Sequence, residues 1–106
     1  MSYGQGNPDF VYLPHWRYLG GETITGNAAS QAATLPVGTQ IFEIDAEGGD
    51  VQYDMNAVAA NPGPGFVPEN GARIQGPLAN LASLNVYAAV GVIIHILYYA
   101  EHVRRR

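Results

Sequence analysis

The longest apolar stretch of the chain lies near its C-terminal end, over residues 81–100. A stretch of about 20 residues is long enough to cross a bilayer as a helix. His95 lies within it, however, and an ionisable side chain inside a membrane span is costly. Many of the residues are β-branched or aromatic, which favours pleated structure over helix. The pattern therefore predicts buried strands rather than a membrane helix.

We expect two strands in this stretch, over residues 83–89 and 92–100, joined by a buried bend near Gly91. The run is apolar at nearly every position, which is typical of a strand covered on both faces. One face is expected to fill the core. The other face then needs cover from the N-terminal arm or from a neighbouring chain, and His95 and Tyr99 are expected to lie together on one of these two faces.

A period-two alternation of apolar and polar residues runs over residues 39–47 and again over residues 51–56. A period of two predicts strands with one buried face. Gly48-Gly49-Asp50 lies between them and predicts a tight turn that joins the two strands as a hairpin. The positions expected to face the core are Phe42, Ile44, Ala46, Val51, Tyr53 and Met55.

The segment between this pair and the final strands is rich in proline and glycine. Residues 57–71 are expected to form a loop without regular structure, held to the core by Phe66 and Val67. A short strand is expected over residues 72–75, ending at the following Gly-Pro. Three leucines come next, at positions 78, 81 and 84, and their spacing fits either one helical turn or a loop across the open end of the sheet.

Residues 1–34 are interpreted as an extended arm and linker, because glycine and proline interrupt every regular pattern there. The arm nevertheless carries many large apolar side chains, in which disordered tails are poor. It either folds back along its own domain, with a first strand over residues 10–13, or docks through its aromatic residues on another subunit. Residues 27–34 are expected to be a flexible linker or a short helical turn.

Residues 35–106 therefore form the predicted folded core. Several short strands separated by Gly/Pro turns indicate an all-β fold, namely a small antiparallel β-sandwich or barrel that is jelly-roll-like. One hydrophobic core of about 70 residues seldom supplies enough stability alone. Because the chain has no cysteine, disulfides are excluded. We therefore expect self-association or docking on a larger surface to supply the additional stability.

Charge limits the partners of this protein. The chain has no lysine, and three of its five arginines are its last three residues; nine acidic residues are spread over the rest. Such an acidic body repels phosphate backbones, so we expect no nucleic-acid partner. The charged share of 13% is about half the usual value, which suggests a surface that is largely covered by a partner.

No motif predicts catalysis, a cofactor or a metal. Five acidic residues between positions 43 and 54 admit a calcium site, but their spacing matches no EF-hand loop, and a solvated strand face is the preferred reading. The three histidines, at positions 15, 95 and 102, are too scattered to indicate a metal triad. The serines lack the context of a nucleophile elbow.

Three segments carry a resemblance: LPVGTQIFEIDAEGGDVQYDMN, GFVPENGARIQGPLANLASLNVYAA and HILYY. Together they resemble small head accessory proteins of tailed bacteriophages, in particular capsid decoration (cement) proteins. The resemblance implies a non-enzymatic virion protein on the capsid surface that binds the major capsid protein, bridges its subunits and self-associates, as a trimer. In such proteins an arm often reaches across neighbouring capsid subunits. The anchors implied here are Phe10, Tyr12, Trp16, Arg17 and Tyr18, residue types common at interface hot spots.

Two other functions remain open at this point. One is a carbohydrate- or receptor-binding module of a phage spike or tail, with residues 57–71 and the tyrosines stacking on sugars. The other is a small membrane protein anchored by its C-terminal stretch, with the three terminal arginines as a basic stop.

Overall fold

The computed structural model describes residues 15–56 and 65–102, and these form two four-stranded antiparallel sheets packed face to face. The strands are β1 (His15–Thr25), β2 (Gln31–Ala32), β3 (Ile41–Glu47), β4 (Val51–Met55), β5 (Gly65–Val67), β6 (Ala72–Gln75), β7 (Leu84–Ala88) and β8 (Ile93–His102). Sheet I has the order β1-β8-β3-β6, and sheet II has the order β2-β7-β4-β5. The prediction of an all-β sandwich is confirmed.

The pairing is that of a jelly roll. First and last strands pair, then second and seventh, third and sixth, and fourth and fifth. The chain is thus one long antiparallel ribbon folded over on itself. Two further pairings, β3 with β8 and β4 with β7, close the ribbon into two sheets. This double-sheet arrangement of eight strands is the jelly-roll architecture.

The core lies between the sheets and follows the predicted alternation. Phe42, Ile44 and Ala46 of β3 point inward and are almost fully buried, as predicted. Val51 and Tyr53 of β4 face them from sheet II, and Met55 packs at the margin. The remaining inward residues come from β5, β7, β8 and the segment just before β8: Val67, Leu84, Val86, Ala88, Val92, Ile94, Ile96, Tyr98 and Ala100.

The two final strands were placed correctly by the sequence, but their connection was not. β7 belongs to sheet II and β8 to sheet I, so the segment between them crosses from one sheet to the other. That crossing lies at the outer end of the sandwich, where Val90 is 78% exposed. The expected buried bend near Gly91 is therefore wrong, although Val92 just beyond it is buried.

The predicted hairpin at Gly48-Gly49-Asp50 is also wrong in its pairing. β3 bonds to β6 and β8, and β4 bonds to β5 and β7, so neither has an edge left for the other. The turn is a second crossing between sheets and packs on the first: a Cβ on Gly49 would stand 2.5 Å from Val92. The two segments that cross between the sheets, one containing Gly49 and the other Gly91, thus lie at the same end of the sandwich.

The expected boundary between arm and core at residue 34 needs correction. β1 and β2 are integral strands of the two sheets, so residues 15–32 are not an arm or linker. β1 is held along its whole length by β8, and Ala33 N–H donates to the carbonyl of Leu84. The alternative strand over residues 10–13 lies outside the described residues.

The proline-rich segment and the leucines differ from expectation in detail. Residues 65–67 form β5, because Gly65 lets the backbone lie directly against the ring of Tyr53. Val67 is buried as expected, whereas Phe66 is 44% exposed. The strand over residues 72–75 is confirmed. Residues 76–83 contain no helical turn, and Leu78 and Leu81 pack against the core from an irregular segment.

A partly buried hydrogen bond connects the edge strand β1 to the core. The hydroxyl of Tyr98 on β8 donates to the carboxylate of Glu22 on β1, which also accepts from Thr34 N–H at 2.7 Å. Burial, together with this hydrogen bond, raises the pKa of Tyr98 well above its usual range, so the hydroxyl remains a donor. Glu22 thereby joins β1, β8 and the segment after β2.

We expect Tyr98→Phe to lower the free energy of unfolding by about 2 kcal/mol, because it removes a hydrogen bond to a charged group. The neighbouring variant Tyr99→Phe, on the opposite face of β8, is the matched control and should change stability by less than about 0.5 kcal/mol. Urea denaturation measures both. Equal effects of the two variants would contradict the role given to Glu22.

Candidate docking face

The outer face of sheet I carries the candidate site. The register of its four strands defines which side chains share that face, since the alternating residues of β3 and β8 fill the core. The outward residues that matter below are Trp16, Tyr18, Thr23, Ile41, Glu43, Asp45, Glu47, Ile74, His95, Leu97 and Tyr99.

Aromatic residues collect at the end of the face where β1 begins and β8 ends. Trp16 and Tyr18 are 47% and 59% exposed. Tyr18 lies directly across from Tyr99 in the register, and their ring centroids are 5.7 Å apart. Such contact between tilted rings adds to the burial of apolar area. Large side chains this exposed and this close together are typical of a binding surface.

A groove of about 230 Å³ lies beside these rings. We call it the aromatic groove; it is lined by Trp16, Ile41, Glu43, Ile74 and Tyr99. Its walls are mostly apolar, and Ile74, on the edge strand β6, is 67% exposed. The groove crosses all four strands of sheet I, so its shape depends on the pairing of the entire sheet.

The structure locates three of the five residues predicted as anchors. Trp16 and Tyr18 lie together on the outer face. Arg17 alternates with them, so it lies on the other face of β1, opposite Ala100, with its side chain exposed. Phe10 and Tyr12 lie outside the described residues. Within the described part of the anchor set, two residues share the candidate face and one does not.

The sequence did not single out the remaining lining residues of the aromatic groove. Ile41 is an apolar residue in an otherwise polar outward row of β3, and Ile74 follows the apolar Ala72 on the outward face of β6. That irregularity was the available signal. Their meeting on adjacent strands depends on the pairing of β3 with β6, which the hairpin interpretation did not provide.

An acidic row runs away from the groove along β3 and consists of Glu43, Asp45 and Glu47. The hydrogen bond between Glu43 and Asp45, with burial and mutual repulsion, raises the pKa of Glu43. The Oδ1 atom of Asp45 is buried and has no hydrogen-bond partner among the described residues. In that part of the chain, no three His, Asp or Glu side chains are arranged to hold a metal ion.

His95 connects the far end of the row to β1. Its Nε2 atom is 2.9 Å from Glu47 Oε1, and its Nδ1 atom is 3.4 Å from Thr23 Oγ1. A hydroxyl, an imidazole and a carboxylate in line are the components of a nucleophilic triad. Here they lie on an exposed sheet surface, with side-chain exposures of 44% for His95 and 64% for Glu47. At that exposure a salt bridge between His95 and Glu47 contributes little to stability. We interpret the three side chains as a hydrogen-bonded link between β1, β8 and β3.

The outer face of sheet II offers a weaker candidate. Phe66 and Tyr87 border a shallow hollow of about 450 Å³ whose rim is formed by the two sheet crossings. No aromatic pair comparable to Tyr18 and Tyr99 is found there among the described residues. Phe66 therefore serves below as a matched exposed aromatic on the opposite side of the molecule.

Comparison with protein-family models, with curated proteins and with solved structures gave no match. The site must therefore be judged on its own geometry. Residues 81–100, expected under one alternative to form a membrane-anchoring helix, lie mostly in the strands β7 and β8, so the anchoring helix is wrong. The described residues contain no helix long and apolar enough to span a bilayer.

The Glu43–Asp45 pair predicts a specific pH dependence. Because the folded-state pKa of Glu43 is raised above 4.5, its contribution to stability is present below that pH and is lost as pH rises through the folded-state value. Glu43→Gln keeps an amide donor for Asp45 and removes the repulsion. We therefore expect the variant to gain stability over wild type between about pH 4 and pH 7.

Thermal unfolding of both proteins at several pH values measures this gain. Glu69→Gln, which removes the same charge from an exposed turn, is the control and should show no gain across the range. A Glu43→Gln variant whose stability relative to wild type is the same at both ends of the range would contradict the raised pKa of Glu43.

Proposed function

We propose that the protein is a structural virion protein that binds the outer surface of a phage capsid and bridges neighbouring capsid subunits. The observation that carries the proposal is the cluster of exposed aromatic side chains at the start of β1, where Trp16 and Tyr18 lie beside Tyr99. Its partner is the major capsid protein. No chemical step is involved, and the contribution of the protein is added contact area across subunit boundaries.

The position of the cluster supports this role. His15, at the start of β1, pairs with His102, at the end of β8, so both ends of the described chain leave beside the aromatic residues. The N-terminal segment contributes Phe10 and Tyr12 to the same region of the sequence. Aromatic side chains are enriched at interface hot spots because they bury a large area at small entropic cost.

Composition and fold are consistent with the proposal. A chain without lysine and with few charges suits a protein whose surface is mostly covered in its working state. Jelly rolls build viral capsid domains, but also lectin domains and cupins, so the fold alone does not select a function. Self-association as a trimer would add further burial to a small core.

A specific observation also favours a second candidate, a carbohydrate-binding module of a spike or tail. The aromatic groove combines two aromatic faces, Trp16 and Tyr99, with the carboxylate of Glu43. An apolar platform with one polar group is a common arrangement in small-molecule sites. The two candidates use overlapping residues but different partners, so binding experiments separate them.

The test compares the double variant Trp16→Ala/Tyr18→Ala with Phe66→Ala. Capsids of the encoding phage, prepared without the protein, are mixed with each variant and sedimented. We expect the double variant to bind at least about 30-fold more weakly, as for loss of a hot spot of about 2 kcal/mol. Phe66→Ala, equally exposed on the other sheet, should bind like wild type.

Each alternative has its own outcome in this design. Undiminished capsid binding by the double variant, or equal losses in both variants, would refute docking through this face. Binding of the wild-type protein to arrayed glycans but not to capsids would favour the carbohydrate module. Sedimentation equilibrium of the free protein gives its mass, and a monomer at working concentration would exclude the trimer.

A further inference from the structure

The carboxylate in the aromatic groove lies among apolar side chains. Glu43 is partly buried on β3, and the register of sheet I places it between Leu97 of β8 and Ile74 of β6. Ile41, two residues earlier on the same face of β3, pairs with Tyr99. A charged group in apolar surroundings loses hydration, and a hydrogen-bonded or charged partner compensates for that loss. Glu43 is therefore the point in the groove at which a ligand with N–H donors would be held.

The described residues provide no cation for this carboxylate. No salt bridge reaches Glu43 in that part of the chain. Its hydrogen-bond partner is a second acid, Asp45, and this contact, with burial and repulsion, raises the pKa of Glu43. Arg73 donates instead to the carbonyl of Phe66 on β5, at 3.1 Å, and Arg17 lies on the other face of β1. The charge of the groove is thus left for a partner to complement.

The walls of the groove suit a flat cation. Trp16 and Tyr99 line it, and Tyr18 packs on Tyr99 with ring centroids 5.7 Å apart. The face of an aromatic ring attracts a cation within about 6 Å of its centroid. A guanidinium group is planar, so it stacks on such a face, and its N–H groups bind a carboxylate in pairs. An ammonium group offers neither the flat shape nor the paired donors.

We propose that the aromatic groove binds an arginine side chain presented by the surface on which the protein docks. The guanidinium stacks on Trp16 and Tyr99 and donates to Glu43, while its aliphatic stem packs on Ile41 and Ile74. Charge complementarity selects this occupant, because the groove is aromatic and acidic and the described residues place no cation in it. The source of the arginine rests on the proposed capsid binding, whereas the chemistry of the groove does not.

The free protein tests the chemistry of the groove with small probes. Nα-acetyl-argininamide is titrated into the full chain, and the indole N–H signal of Trp16, the single tryptophan, is followed by NMR. We expect saturable binding in about the millimolar range, since one side chain supplies the contacts. Nα-acetyl-citrullinamide has the same shape without the charge and should bind about tenfold more weakly. Nα-acetyl-lysinamide should bind about threefold more weakly, because it does not stack.

Substitutions locate the binding within the groove. Glu43→Gln keeps the shape of the side chain and removes its charge, so it should weaken binding of the arginine probe about tenfold, with a smaller effect on the citrulline probe. Glu47→Gln removes the same charge about 13 Å further along β3, outside the groove. It is the matched control and should change the affinity less than about twofold, because that distance exceeds the screening length. Tyr99→Leu removes the ring and should weaken binding about threefold.

Sedimentation with capsids tests the source of the arginine. Glu43→Gln should bind capsids about tenfold more weakly than wild type, and Glu47→Gln should bind like wild type. A saturating concentration of the arginine probe should release wild-type protein from capsids, whereas the citrulline probe should not. Capsid binding that is unaffected by Glu43→Gln would overturn the assignment to the docking surface. Failure of the wild type to sediment with capsids would refute the proposed function and, with it, this source.

The probe titrations decide the chemistry of the groove whatever the capsid result. Equal affinities for the arginine and citrulline probes, or for the arginine and lysine probes, would overturn the guanidinium site. Equal losses in Glu43→Gln and Glu47→Gln would do the same. The variant Arg104→Gln/Arg105→Gln/Arg106→Gln should bind the arginine probe like wild type. Binding at least about tenfold tighter would overturn the assignment to a partner, because the arginines of the chain itself would then compete for the groove.

Discussion

The position of β8 between β1 and β3 is the constraint on which the rest of the structure depends. Its inward residues, such as Ile94, Ile96 and Tyr98, fill the core, while its outward residues form the middle of the exposed face. Among the described residues β1 pairs only with β8, and β3 pairs with β8 at seven register positions. The aromatic groove, the hydrogen-bonded group of Thr23, His95 and Glu47, and the Glu22–Tyr98 contact all depend on the position of β8.

Much of the fold could be predicted from the sequence, because the alternation of apolar and polar residues indicates which side chains are buried. The inward residues of β3 and β4, the short strand β6 and the positions of the last two strands all followed from a period of two. Alternation gives the face of each residue, but it does not give the partner of each strand. A Gly-Gly turn between two strands serves equally well as a hairpin or as a crossing between sheets, and only the closed pairing of β3 with β6 and β8 excludes the hairpin.

β1 was not predicted from the sequence, for a different reason. The register shifts between Tyr18 and Gly20, so the outward residues are even-numbered before the irregularity and odd-numbered after it, as Trp16 and Thr23 show. A β-bulge of this kind inserts one extra residue and reverses the apparent alternation. With a glycine pair at the same point, the strand resembles an unstructured arm. For the same reason the candidate site was not predicted from the sequence. Ile41 and Ile74 lie near Trp16 only when all four strands of sheet I are paired.

The pairing of first and last strands also has a consequence for the order in which the molecule forms. Glu22 and Tyr98 are 76 positions apart in the sequence, whereas β4 and β5 are consecutive strands. Closing a long loop costs entropy before its contacts form, so distant pairings tend to come late in folding. The aromatic groove is built from the most distant pair of the ribbon. A nascent or partly folded chain therefore lacks the aromatic groove, which is complete only when the final strand is in place.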